Sequence, residues 1–295
     1  MTFNFNTPMT FYEFLALCLS VLALILPLIK TIYKTWIQQP KLKFLPAGRT
    51  YLYFNQSGSY IRIDGVYEAN VKPVSVKNIA IKIVRQKDDR VLNLSWGTFI
   101  SPVNQSMVGT YVNTTECAHP FRIESNSMTC TFTEFSDAFD AFGKAFRKNT
   151  TILFNKVAEI QLTAPNYQVA YEKYTKFPEY AEAKRFVERE FFWDIGKYSI
   201  EIKADYNSPF NKPKVFLYTI VVGEAEHENL VQNIDESLLS PLKSAYGIKL
   251  NYHSPIVELQ ERKKEIKNKC IIIFLLNKQL IYWIHIENQL IVKND

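Results

Sequence analysis

Residues 193–202 read Trp193-Asp194-Ile195-Gly196-Lys197-Tyr198-Ser199-Ile200-Glu201-Ile202. From Tyr198 the apolar side chains fall on every second position, the period of a half-buried strand. The alternation predicts one strand over Tyr198–Ala204 and a second over Lys214–Val222. The Asn- and Pro-containing stretch Asp205–Pro213 turns between them. A hairpin of this kind needs further strands to cover its apolar face.

Those strands are written upstream. Tyr51 and Tyr53, Ile61 and Ile63, Val74 and Val76, and Ile79, Ile81 and Ile83 stand two apart, and Val91–Trp96 has strand texture. Breaks fall at Asn55–Gly58, Gly65, Lys72-Pro73 and Lys87–Asp89. Short strands at this spacing, without helices between them, predict an antiparallel sandwich. Thr150–Thr163, with Ile152, Phe154, Val157, Ile160 and Leu162, reads as another strand with a slip of phase near Lys156.

Asp194-x-Gly196-x-Tyr198 followed by alternation resembles the tyrosine corner of immunoglobulin-like sandwiches. The resemblance covers roughly 25 residues and implies a fold, without chemistry. It departs from antibody domains in having no Cys two residues after Tyr198. The expected fold class is therefore mainly β with helical excursions: an N-terminal transmembrane helix, then an antiparallel, immunoglobulin-like β-sandwich.

The helical excursions are three. Phe135, Phe139, Phe142 and Phe146 recur at helical spacing and predict a helix over Glu134–Phe146. Its stripe reads first as core and second as a contact for a partner or membrane. Pro178–Phe191 opens with Pro and continues in helix formers. Glu226–Ala245 carries Leu230, Ile234, Leu238 and Leu239 on one side. Further on, Glu258–Lys269 reads as a charged helix, and Cys270–Ile286 as two apolar runs split by Asn277-Lys278-Gln279. A hairpin of buried strands suits that split. A membrane helix would place Lys278 near the bilayer centre, at a cost of roughly 3 kcal/mol.

The N-terminus has a different texture. Phe14–Ile29 contains no charged residue, and Phe11–Ile29 contains Glu13 alone. Nineteen residues as a helix cover about 28 Å, near the thickness of a hydrocarbon core. Tyr12, Tyr33 and Trp36 flank the run, as interfacial aromatics do. No basic start and no small-residue cleavage pattern accompany it, against a signal peptide. The chain thus divides into an anchor and basic juxtamembrane segment (1–40), a β-sandwich with inserted helices (41–250), and a charged helix with an apolar hairpin (251–295). Membrane lipid is expected to surround residues 11–36.

Of the formal net charge of +6, five units lie within residues 1–63. Lys30, Lys34, Lys41, Lys43 and Arg49 follow the apolar run, and no basic residue precedes it. The positive-inside rule places the N-terminus outside and the main domain in the cytoplasm. Asn55, Asn93, Asn104, Asn113 and Asn149 open N-x-[ST] triplets, which matter only for a lumenal domain. A nucleic-acid-binding domain would carry its excess charge on its folded surface, so nucleic acid is not expected as a partner.

Catalytic signatures are absent from the sequence. With 9 Gly in 295 residues, no phosphate-cradling loop is written, and no G-x-S-x-G occurs. Glu224, Glu226, His227 and Glu228 lack the second His of a zinc hydrolase. Cys117, His119 and Cys130 lack a fourth ligand. No catalytic, cofactor-binding or metal residue is assigned and no cofactor is expected. The expected function is a membrane-tethered adaptor, sensor or regulatory subunit that binds an unidentified protein. The alternative is a lipid-interacting protein using Phe135, Phe139, Phe142 and Phe146 or the segment Cys270–Ile286.

Overall fold

The computed structural model describes residues 10–33, 39–100, 104–105, 111–112, 115–207 and 212–262. Met1–Gln260 form one compact unit and Glu261–Asp295 another. All that follows concerns the first, but for the backbone of Glu261 and Arg262; Lys34, Trp36 and the Cys270–Ile286 runs lie outside the described residues.

Helix α1 spans Phe11–Ile32 and buries none of its residues. Thr10 and Glu13 close a capping box: Glu13 accepts from the Thr10 backbone N–H at 2.8 Å, and Thr10 Oγ1 accepts from the Glu13 N–H at 3.4 Å. Within the helix the Ser20 and Thr31 hydroxyls donate to the carbonyls of Ala16 and Pro27, both at 2.8 Å. Such internal satisfaction suits an apolar surrounding. By length and composition α1 can cross a bilayer.

The strands are β1 (Lys41–Asn55), β2 (Gly58–Asn70), β3 (Val74–Arg85), β4 (Val91–Ile100), β5 (Asn104–Gln105), β6 (Tyr111–Val112), β7 (Thr115–Cys117), β8 (Phe121–Ile123), β9 (Ser127–Ser136), β10 (Gly196–Tyr206), β11 (Lys214–Val222) and β12 (Ile256–Val257). Hydrogen-bonded neighbours follow the order β12–β1–β2–β9–β4–β3–β10–β11, with β7 on β4 and β8 on β3, while β5 and β6 pair separately. These pairings are antiparallel. Register shifts bend β1 between Pro46 and Thr50 and β4 between Trp96 and Thr98. The hairpin read from the sequence is present: Tyr198 faces Ile220 and Ala204 faces Lys214.

Alternation sends Leu52, Phe54, Ile61, Ile63, Ile81 and Ile200 to one buried face. Helices α2 (Ala141–Thr163), α3 (Tyr167–Thr175), α4 (Pro178–Glu190) and α5 (Glu224–Ala245) pack on one another, and α5 also packs on β1. Their share of the core includes Phe146, Leu153, Val157, Val187, Leu230 and Leu238. Each such side chain contributes about 1.5–3 kcal/mol through burial.

Three expectations are corrected. The helix expected over Glu134–Phe146 is the end of β9, a turn, and the first residues of α2. Asp140 takes a left-handed conformation (φ 49°, ψ 40°) immediately before the helix. Second, Thr150–Thr163 is not a strand but the body of α2. Its β-branched residues suggested a strand, yet Phe146, Thr150, Leu153, Val157 and Ile160 are buried at intervals of four and three. Tertiary packing on that stripe overrides their β propensity. Third, Glu258–Arg262 is not helical, and the remainder of that segment lies outside the described residues.

Candidate functional site: a groove beneath Phe139

The sheet has a second face, opposite the core. Strand phase places Ala80 and Lys82 of β3, Asn93 and Ser95 of β4, and Glu201 and Lys203 of β10 on it. Register sets them in two rows, Ser95–Ala80–Lys203 and Asn93–Lys82–Glu201. Ser136 of β9 continues the first row beside Ser95. Three small side chains in succession leave a trough, flanked by longer polar ones. Together with the turn Asp137–Phe139 these strands enclose a groove of about 570 Å³.

Phe139 stands at its lip and is 80% exposed. The turn that presents it is tied down. Both Asp137 carboxylate oxygens accept from backbone N–H groups, of Phe139 at 2.9 Å and of Ala141 at 2.7 Å. Asp140 is held by Arg147 at 2.5 Å. Its carboxylate lies over Gly143, where an added Cβ would come within 2.0 Å of an oxygen. A glycine at 143 is what lets the left-handed Asp140 fold back on the helix. Lys82 stands opposite Glu201 in register, and Lys203 and Asp137 also line the groove, so it offers donors and acceptors of both signs.

Further along the same face a second polar row satisfies itself. The Arg62 guanidinium lies 4.9 Å from the Tyr51 ring centroid and 5.7 Å from that of Phe132, and pairs with Asp64 at 2.8 Å. Glu134 stands opposite Arg62, and burial pushes its carboxyl above the usual range while the guanidinium opposes the shift. Tyr53 stacks on Tyr60, with centroids 4.7 Å apart. Nothing in this row joins a nucleophile to a base.

The four phenylalanines do not act together. Phe135 and Phe146 are buried at 2% and 1% exposure, and half-buried Phe142 stacks on Phe186 with centroids 6.0 Å apart. Phe139 alone of the four faces solvent. Of the basic residues that follow the apolar run, Lys30 lies in the last turn of α1, and Lys41, Lys43 and Arg49 are exposed on β1. Lys43 reaches Glu68 at 3.7 Å. Sequence reasoning did not single out the small-residue row, because register across β9, β4 and β3 is not written in any one segment. The Asp137 and Asp140 cap signals before Ala141 could have marked the turn.

Cys117 and Cys130 are free and exposed. His119 Nδ1 lies 3.1 Å from the Cys117 carbonyl oxygen, and among the described residues no group of His, Cys, Asp and Glu could hold a metal ion. Glu224 and Glu226 form the first turn of α5, where Glu226 accepts from the Gly223 N–H at 3.0 Å. His227 Nδ1 lies 2.9 Å from the Trp193 carbonyl oxygen. Those groups cap and fasten the helix. No family model, curated protein or solved structure matches the chain.

Proposed function

We propose that this chain is a membrane-anchored binding protein whose β-rich domain, on the cytoplasmic side, holds a protein partner in the groove beneath Phe139. The observation that carries the reading is a bulky aromatic fixed in the open by two carboxylates at the mouth of that groove. Aromatic anchors beside mixed polar groups are the usual core of a recognition surface. The trough is floored by strands and takes an extended segment, with Lys82, Lys203, Glu201 and Asn93 meeting its polar groups. A tether at α1 raises the local concentration of whatever docks.

Orientation follows the basic flank, with the N-terminus outside. A glycan on Asn93 would stand in the groove, which favours the cytoplasmic side. The corner at Asp194–Tyr198 supports the immunoglobulin-like reading. A sheet with one continuous strand order becomes a sandwich by folding over at bent strands, and the shifts in β1 and β4 are where that bend would fall.

A photoactivatable phenylalanine analogue placed at Phe139 tests the reading in cells. Discrete protein adducts are expected, and they should disappear when Ser95→Trp fills the trough. The same adducts from the analogue at exposed Val221, or adducts that survive Ser95→Trp, would overturn the assignment.

A further inference from the structure

One end of the sheet gathers its chain connections around the entry from α1. Lys41 pairs with Asn70, Val74 with Ile123, and Ala204 with Lys214. Pro40, the turn at Val71–Pro73, β8 and Asn207, which follows β10, therefore share that end. Between them lies a cavity of about 320 Å³ lined by Pro40, Lys72, Pro73, Ser75, Arg122 and Asn207.

The cavity wall is fastened, and the residue that leads into it at Lys72 is strained. Asn207 and Ser75 exchange two hydrogen bonds, the Ser75 N–H to Asn207 Oδ1 at 2.9 Å and the Asn207 N–H to the Ser75 carbonyl at 3.1 Å. Val71 has φ 79°, a conformation that β-branched residues rarely adopt. Its N–H donates to Asn126 Oδ1 at 3.3 Å. Strain held in place by surrounding bonds is a mark of ligand-holding loops.

Charge at this end is unbalanced. Lys41, Lys72, Arg122, Lys212 and Lys214 gather there, against Glu124 and Asp205, while Lys43 and Glu68 offset each other. Arg122 reaches Glu124 at 2.9 Å, but both side chains are over 60% exposed, so water and competing anions can exchange that pair. The chain from Ile32 to Pro40 spans at most roughly 28 Å when fully extended. A cation-lined cavity is thus held close to the end of a helix able to cross a bilayer.

We infer that this cavity is a site for the anionic, phosphate-bearing headgroup of a membrane phospholipid, engaged by Arg122, with Lys72 adding positive charge to its wall. The inference rests on α1 being a membrane anchor, but not on the groove beneath Phe139. A polybasic surface beside a membrane helix is drawn to an anionic leaflet, and the short connection keeps the cavity within reach of it.

The test uses the full chain in lipid nanodiscs, with a photo-cross-linking residue at exposed Ser125. One set contains phosphatidylcholine alone, and the other adds phosphatidylserine. Lipid adducts, read by mass spectrometry, are expected to rise with phosphatidylserine and to fall roughly tenfold in Arg122→Glu. Lys72→Gln should lower them less. Unchanged denaturation midpoints verify that the variants fold. A chain extracted from membranes by carbonate defeats the anchor reading and the inference with it. A retained chain without adducts, or with adducts indifferent to Arg122→Glu, overturns the inference alone. Equal protection of the β2–β3 turn by inorganic phosphate in detergent would reassign the site to a soluble anion.

Discussion

The hydroxyl of Tyr198 lies 2.6 Å from the carbonyl oxygen of Asp194 and 3.1 Å from that of Phe192. Burial pushes the phenol up to about 12, so it stays a neutral donor. Arg85 reaches the same Phe192 carbonyl at 3.1 Å. The end of α4, the entry to β10 and the end of β3 are joined at this point.

Removing that hydroxyl leaves the half-buried Asp194 carbonyl short of a partner, while that of Phe192 keeps Arg85. Tyr198→Phe is expected to destabilise the fold by about 1–3 kcal/mol. Gly196 has φ 144°, and a Cβ there would meet nothing within 4 Å. Gly196→Val therefore acts through backbone conformation rather than collision. Chemical denaturation of each variant measures both effects, and an unchanged midpoint for Tyr198→Phe would dissolve the corner.

The phenylalanines should separate cleanly. Phe146→Ala is expected to cost about 3–5 kcal/mol, as for other deeply buried aromatics. Phe139→Ala should change stability by no more than about 0.5 kcal/mol, as at an ordinary surface position. Thermal melts of the two variants side by side decide this. A large loss at Phe139 would mean that its ring is covered.

Acid sensitivity has a specific site. The Arg85 guanidinium, by hydrogen bonding, holds the Asp88 carboxyl below its ordinary 3.8, at about 2. A carboxylate depressed by folding stabilises the fold fully above its ordinary value. That stabilisation is lost as pH falls toward about 2. Asp88→Asn should flatten the dependence of the unfolding midpoint on pH across this window. An identical profile in the variant would place the acid response elsewhere.

Topology can be read by labelling. A membrane-impermeant thiol reagent on intact cells should reach a cysteine placed at Asn4 and miss one placed at Ser57. Ser57 is exposed in the β1–β2 turn, so a failure to label it reports sidedness rather than burial. Labelling at Ser57 from outside would reverse the orientation and restore interest in the glycosylation triplets.

The hairpin at residues 196–222 was legible because alternation, a glycine and a turn sit within one short window. Helix α2 was not. Thr150 occupies a fully buried position on its stripe by donating to the Phe146 carbonyl at 2.8 Å. A polar residue that satisfies itself inside the helix hides the apolar period. Phe135 then joined the spacing by coincidence, since its burial belongs to the β9 phase. The groove depends on register between strands distant in sequence, which local patterns do not encode. The N-terminal helix needed only length and composition, and was read directly.

The outer edge of β1 is covered by residues made some two hundred positions later. Thr50 pairs with Val257, and the Leu52 N–H donates to the Pro255 carbonyl at 3.0 Å. Gln56, in the adjoining turn, donates to the Ser237 carbonyl at 3.1 Å and to Ser240 Oγ at 2.8 Å. During synthesis β1 emerges soon after α1, and its edge stays open until the chain has been made past Val257. An open strand edge is a template for pairing with other chains. Several copies translated on one message would stand beside each other with that edge bare. Chaperone dependence in this protein should accordingly fall on the growing chain, and a truncation before Pro255 should aggregate while the finished chain does not.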